Sequence, residues 1–120
     1  MKTKLAADGR AVFHSIPFDF DRAELKLESK SQIAEMAALL KSNPTLKIFI
    51  IGHTDGKGEF EYNIKLSGKR ATAVAIVLTK DHEISAARII TRGLGPLAPV
   101  ATNRTEDGRE KNRRVELVEQ

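Results

Sequence analysis

Cysteine and tryptophan are both absent from this 120-residue chain, and tyrosine occurs once. Without cysteine there is no disulfide, no thiolate nucleophile and no Cys-based zinc site. That leaves the compartment open, because a chain of this length can bury roughly two-thirds of its unfolded surface without staples. So few aromatic side chains make a base-stacking platform sparse. No apolar run approaches the ~20 residues of a membrane span. Met1-Lys2-Thr3-Lys4-Leu5 has the basic opening of a signal peptide, but no apolar stretch follows it. Residues 1–10 read as a linker or a remnant ahead of a single domain over residues 11–120. A strong surplus of one charge sign is also missing. The net charge of +4 comes from 20 basic and 16 acidic residues that are interspersed, which permits an acidic partner without demanding one.

What the chain does have is a clear succession of apolar segments, as a globular domain requires. Ala11 to Phe20 has strand composition interrupted by Pro17, which belongs at an edge or ends the pairing. Ser29 or Ser31 is placed to cap a helix on which Ile33, Met36, Ala37 and Leu40 follow helical spacing, and Asn43-Pro44 stops it. Thr45 to His53 is β-branched and almost continuously apolar, the pattern of a central strand. Gly56 and Gly58 mark a loop, and Glu59 to Lys80 then reads as a long helix. Its apolar stripe is Leu66, Ala73, Val74, Val77 and Leu78, with Glu59 and Glu61 in its first turn, where the helix dipole favours negative charge. Arg88 to Arg92 is a short strand, residues 93–112 a long loop, and Arg113 to Val118 a closing strand.

The order β-α-β-α-β-β predicts an α+β fold, a two-layer α/β sandwich. Helices between strands favour parallel crossovers on a shared sheet. The last strand, reached through a loop without a helix, should run antiparallel to its neighbour. The sheet is then mixed, with the helices on one face.

Several chemistries fail on spacing. Gly52, Gly56, Lys57 and Gly58 lie between strand and helix, but three residues rather than four separate Gly52 from Gly56-Lys57, and no Ser or Thr follows the lysine. His14, His53 and His82 are scattered over three elements with no i, i+4 pair, so no metal site is expected. His53 reads instead as a strand-end side chain bonded within the loop. Ser67 lies inside the helix with no elbow motif around it, and His53 with Asp55 does not make a triad. No enzyme and no cofactor is expected. Arg104, Arg109, Lys111, Arg113 and Arg114 form a basic cluster, the one feature that suits nucleic acid or another acidic polymer. Glu106, Asp107 and Glu110 are interleaved with it, so a solvated loop is the plainer reading.

Asp55 and Arg70 remain. Asp55 follows the carboxyl end of the central strand, where open α/β sheets bind ligands. Asn63 and Arg70 lie nearly two turns apart on one helix face, about 10 Å along the axis, with Leu66 between them. An arginine so near the buried stripe needs a carboxylate. Asp55 either supplies it, as a plain structural salt bridge, or the two charges face outward together. In the second case a carboxylate and a guanidinium at one concavity match a zwitterion, with Asp55 taking an ammonium and Arg70 clamping a carboxylate.

The stretch Gly52-His53-Thr54-Asp55, Gly58, Tyr62-Asn63, Leu66-Ser67, Arg70-Ala71 resembles the signature of the OmpA-like peptidoglycan-binding domain. Arg88-Ile89, Gly93-Leu94-Gly95, Pro99-Val100-Ala101, Asn103, Gly108-Arg109 and Asn112-Arg113-Arg114-Val115-Glu116 continue the match, and Phe18-Asp19-Phe20-Asp21 fits the family's opening strand and loop. The resemblance covers residues 11–118. It implies the fold order read above and non-covalent binding of the peptidoglycan stem peptide through its diaminopimelate residue. It further implies that Asp55 and Arg70 grip the amino-acid group, while Thr54, Asn63, Leu66, Arg113, Asp21 and Phe20 line the pocket. The expected setting is the Gram-negative periplasm, in a parent protein tethered to a membrane by other segments, with no nucleic-acid partner and no membrane contact by the domain itself. Gly68 stands out, because glycine in a helix interior costs about 1 kcal/mol relative to alanine; close approach of ligand or backbone would explain it.

Overall fold

The computed structural model describes residues 10–14 as backbone and residues 29–120 in full. Four strands, β1 (Arg10–His14), β2 (Ile48–His53), β3 (Ile89–Gly95) and β4 (Arg114–Glu119), form one sheet in the order β1-β4-β2-β3. β2 and β3 are parallel, and β4 runs antiparallel to both β1 and β2. The sheet is therefore mixed, as the element order predicts, with β4 inserted between the first two strands. Helices α1 (Lys30–Ser42) and α2 (Phe60–Asp81) pack on one face.

Period-two alternation divides the sheet. Ile48 and Ile50 of β2 and Val115 and Leu117 of β4 point into the core, where they meet Ile33, Met36, Ala37, Leu39 and Leu40 of α1 and Ala71, Val74 and Leu78 of α2. Burying one such side chain contributes roughly 1.5–3 kcal/mol, so this single cluster dominates the fold's stability. The buried stripe of α2 reads Asn63, Leu66, Ser67, Arg70, Ala71, Val74, Leu78. It is apolar at its C-terminal half and polar at the half that follows the loop. Ala73 and Val77, expected on the stripe, are half-buried, and Ala71 takes the inner position.

Helix α1 starts at Ser29, though that side chain makes no capping bond, and ends at Asn43. The last carbonyls of α1 are capped from far along the chain. Arg88 donates to the carbonyls of Leu40 (2.7 Å), Asn43 (2.8 Å) and Leu46 (3.0 Å), a cation where the helix dipole favours one.

Two elements depart from the sequence reading. β3 extends to Gly95, three residues beyond the expected end. Within the expected long loop lies a third helix, α3 (Glu106–Asn112). Thr105 caps it, accepting from the Gly108 amide at 3.1 Å, and Glu106 and Asp107 fill its first turn. Gly108 is buried, and a Cβ there would stand 1.9 Å from the Thr102 carbonyl oxygen, so only glycine fits. A short polar helix with a glycine inside it carries little apolar periodicity, which is why it reads as loop. β4 is antiparallel even though a helix precedes it.

Candidate functional site

β2 ends at His53, and Thr54 to Glu59 cross to the start of α2. The crossing is narrow because helix and sheet nearly touch beneath it. A Cβ on Gly52 would lie 2.1 Å from the Ser67 carbonyl oxygen, and one on Gly93 would lie 2.2 Å from the Gly68 nitrogen. Ser67, fully buried, donates to the Ile64 carbonyl and accepts from the Gly95 amide, both at 2.9 Å. Thr54 N donates to the Gly95 carbonyl at 2.9 Å. These contacts fix the polar end of α2 against the ends of β2 and β3.

The loop is built around Asp55. Its Oδ1 accepts from the Lys57 amide at 2.9 Å, a local Asx turn. Gly58 follows with φ of +94°, which suits glycine. Asn63 reaches back from α2 and donates to the Lys57 carbonyl at 2.7 Å. Thr54 Oγ1 donates to the Asp55 carbonyl at 2.9 Å.

The result is a cleft of about 80 Å³ lined by Thr54, Asp55, Asn63, Leu66, Arg70 and Arg113, with Lys57, Gly58 and Tyr62 at its mouth. Six of the eight residues singled out in the sequence thus share one concavity. Phe20 and Asp21 lie outside the described residues. Asp55, Arg70, Asn63 and Thr54 are each at least 92% buried, so the charges inside are little screened by water. Lys57 and Gly58 join the lining without a sequence signal of their own for the pocket. Tyr62 joins it as well; half-exposed at 45%, it is the chain's single tyrosine and adjoins Asn63, which is its one signal in the sequence.

Asp55 has an ion-pair partner, and it is Arg113. Arg113 Nη1 donates to Asp55 Oδ2 at 2.6 Å, and Nη2 donates to Glu106 Oε2 at 2.6 Å. Burial works against the Arg113 charge, but hydrogen bonds to Glu106 and Asp55 outweigh it and its pKa is raised. The bond from Arg113 likewise lowers the pKa of Glu106, a solvent-exposed group. Arg113 is held in place from behind by Asn112. That side chain, fully buried, accepts from the amides of Val100 and Ala101 and donates to the Ala101 carbonyl and to Asn103 Oδ1. Asn112 therefore ties the loop after β3 to the end of α3.

A second charged group lies behind the cleft, on the sheet face away from α1 and α2. Arg114 donates Nε (2.9 Å) to Glu116 Oε2, and its Nη2 lies 2.6 Å from the same oxygen and 2.7 Å from the Ala98 carbonyl oxygen. His53 Nε2 stands 3.2 Å from Glu116 Oε2, in direct polar contact but poorly aligned for a hydrogen bond. So His53 is not bonded within the loop; it crosses the sheet to β4. The His53 contact, reinforced by Arg114, overcomes burial and brings the Glu116 carboxyl down to about 2. The C-terminal basic cluster is accordingly divided. Arg114 and Arg113 are committed to internal carboxylates, and Arg109 bonds the Asn103 carbonyl and Glu106.

The OmpA family model matches residues 17–113, most of the chain. The chain belongs to the OmpA family. It is 41% identical over 101 residues to outer membrane porin F of Pseudomonas aeruginosa, a match covering 84% of this chain and 29% of that protein. It spans about half or less of the length of four such relatives. Among solved structures, the peptidoglycan-associated lipoprotein of Burkholderia pseudomallei superposes with a TM-score of 0.76 at 33% identity, over 95% of this chain and 92% of that one. The cell wall anchor of the type VI secretion system (T6SS) of Pseudomonas aeruginosa gives 0.75 at 27% identity, over 98% and 93%. The α+β fold with its mixed sheet is that of the OmpA-family domains.

Proposed function

We propose that this OmpA-family domain binds peptidoglycan without covalent chemistry and anchors a longer envelope protein to the cell wall, on the periplasmic side of a Gram-negative envelope. The ligand group is the zwitterionic end of diaminopimelate in the stem peptide. Asp55 takes its ammonium and Arg70 its carboxylate, with Thr54, Asn63 and Leu66 forming the walls and Arg113 holding Asp55 in place. The reading rests on one observation: an aspartate and an arginine, both buried residues, line the same small cleft. A cleft of about 80 Å³ is far below the several hundred Å³ usual for whole small molecules, so it suits one end group of a larger ligand. The peptidoglycan-associated lipoprotein and the cell wall anchor, named for their attachment, support the polymer. No nucleophile is paired with a base among the cleft residues, so the role is binding rather than catalysis. The competing nucleic-acid reading loses its basis where Arg109, Arg113 and Arg114 are consumed by internal bonds.

The experiment is co-sedimentation with purified diaminopimelate-type sacculi, competed with free diaminopimelate. Asp55→Asn and Arg70→Ala should each weaken binding at least tenfold, about 1.4 kcal/mol or more. Folded variants that sediment as the parent does would refute the assignment of the cleft.

A further inference from the structure

We propose a second, independent interaction surface: the seam between the exposed flank of α2 and the edge strand β3 receives an acidic polypeptide segment in extended conformation. Three observations converge there. First, β3 is the last strand of the sheet order, and among the described residues nothing pairs with its outer side. Its outward amides and carbonyls are a template for one more strand once Arg92 releases the Thr91 carbonyl. Second, a groove of about 550 Å³ runs along it, walled by one helical stripe of α2 that includes Lys65, Lys69 and Ile76, and floored by Thr91, Arg92 and Gly93. Ile76 is 46% exposed and, with Ala73, gives the wall an apolar part beside the two lysines. Third, every ionisable residue of the lining is a cation. Among the described residues neither lysine has an acidic partner, while Arg92 turns one guanidinium nitrogen to the Thr91 carbonyl at 2.7 Å.

Charge selects the occupant. A second copy laid edge to edge would set Lys65, Lys69 and Arg92 against the same three cations, and like charges brought together cost several kcal/mol. A nucleic acid would satisfy the cations, but not the strand edge, and the groove holds no aromatic side chain on which bases stack. An extended chain with Glu or Asp on alternate residues satisfies all three features at once. Its backbone extends the sheet, the face turned to α2 places carboxylates on the lysines, and the other places apolar side chains beside Ile90 and Leu94, which are exposed on the opposite face of β3. None of these residues lines the Asp55 cleft, so both surfaces can be occupied together.

The test uses the isotopically labelled chain and a short peptide alternating Glu and Val, with a Lys/Val counterpart and a short oligo-dT as comparisons. The Glu/Val peptide should give saturable amide shifts over residues 90–94 and 65–76 while Asp55 and Asn63 stay still, and added salt should weaken them. The double variant Lys65→Glu/Lys69→Glu, at two exposed positions, should bind at least about tenfold more weakly with an unchanged melting temperature. Should that variant be unfolded, Lys65→Ala/Lys69→Ala takes its place with the same expectation. The proposal is overturned by an absence of saturable shifts, by equal response to the Lys/Val peptide, by an oligo-dT response on the same amides as strong as the peptide's, or by undiminished binding of the folded double variant. In any of those cases the cations merely guard the strand edge against pairing.

Discussion

Two glycines face each other where α2 meets β3, and they should respond to the same substitution in opposite directions. A methyl group on Gly93 would stand 2.2 Å from the Gly68 nitrogen, 2.5 Å from Ser67 Oγ and 2.6 Å from the Ile64 carbonyl oxygen. Two of those three atoms are backbone, so the helix must move away, and the Ser67–Gly95 bond goes with it. Overpacking of about 1–3 kcal/mol plus about 1 kcal/mol for the hydrogen bond gives a loss of roughly 2–4 kcal/mol for Gly93→Ala. On Gly68 the added methyl would lie 3.8 Å from the Gly93 nitrogen, an ordinary contact. There the helix propensity of alanine prevails, and Gly68→Ala should stabilise by about 1 kcal/mol, raising Tm by about 4 °C. The backbone approach that Gly68 suggested is real, but Gly93 is the residue that makes room for it. Urea unfolding measures both: the midpoints should move in opposite directions at constant m-value. A destabilised Gly68→Ala protein with an unperturbed Gly93→Ala protein would refute the packing argument. Because Asn63, Leu66 and Arg70 ride on the same helix, Gly93→Ala should also impair sacculus binding.

Acid should weaken the fold through Glu116. Its folded pKa of about 2, against 4.5 ordinarily, means that the ionised form is favoured by folding. That stabilisation is complete above pH 4.5 and is lost as pH falls from 4.5 toward 2, amounting to about 3 kcal/mol; stability measured against pH should fall across this window. Glu116→Gln should remove most of that dependence. At neutral pH it should cost about 3–5 kcal/mol by stranding buried Arg114, read by denaturant unfolding. Asn112→Ala removes four hydrogen bonds and strands the Val100 and Ala101 amides, so about 2–4 kcal/mol of stability should vanish, and hydrogen exchange at those two amides should accelerate. Gly58→Ala makes only ordinary contact with the Asn63 side chain, 3.6 Å away, but carries a φ of +94°, so it should cost about 1–2 kcal/mol and weaken binding at the cleft.

The parts of the molecule readable from sequence were those whose information is local. β2, the loop and α2 are contiguous, so helical spacing alone brings Asn63, Leu66 and Arg70 to one face below Asp55. Local signals cannot reveal a partner far along the chain. Arg113 meets Asp55 across 58 positions, and only the placement of α3 and the register of β4 decide it. The same holds for His53 and Glu116, which face each other because Ile51 pairs with Glu116 and Gly52 with Val115. Arg88 is another case: a residue beside a short strand whose guanidinium finishes a helix more than forty positions earlier. Helix α3 is hard to read in the sequence for a different reason. Its cap and acidic first turn were visible, but a short polar segment has no apolar stripe to announce it.

The direction of the strands has a mechanical meaning. β1 and β2 both run toward the cleft, and β4 between them runs away from it, so Arg10 pairs with Val118 at the far end while His14 pairs with Arg114 at the near one. A pull that enters the sheet at Arg10 and is resisted by a ligand at Asp55 therefore acts along the strands. The ladder bonds lie across that line and carry the load side by side, in shear, instead of opening one after another. Resistance to force is governed by the rate of unfolding rather than by equilibrium stability, so the same sheet pulled crosswise would yield far sooner. A pull along that line would meet the domain in its stiff direction.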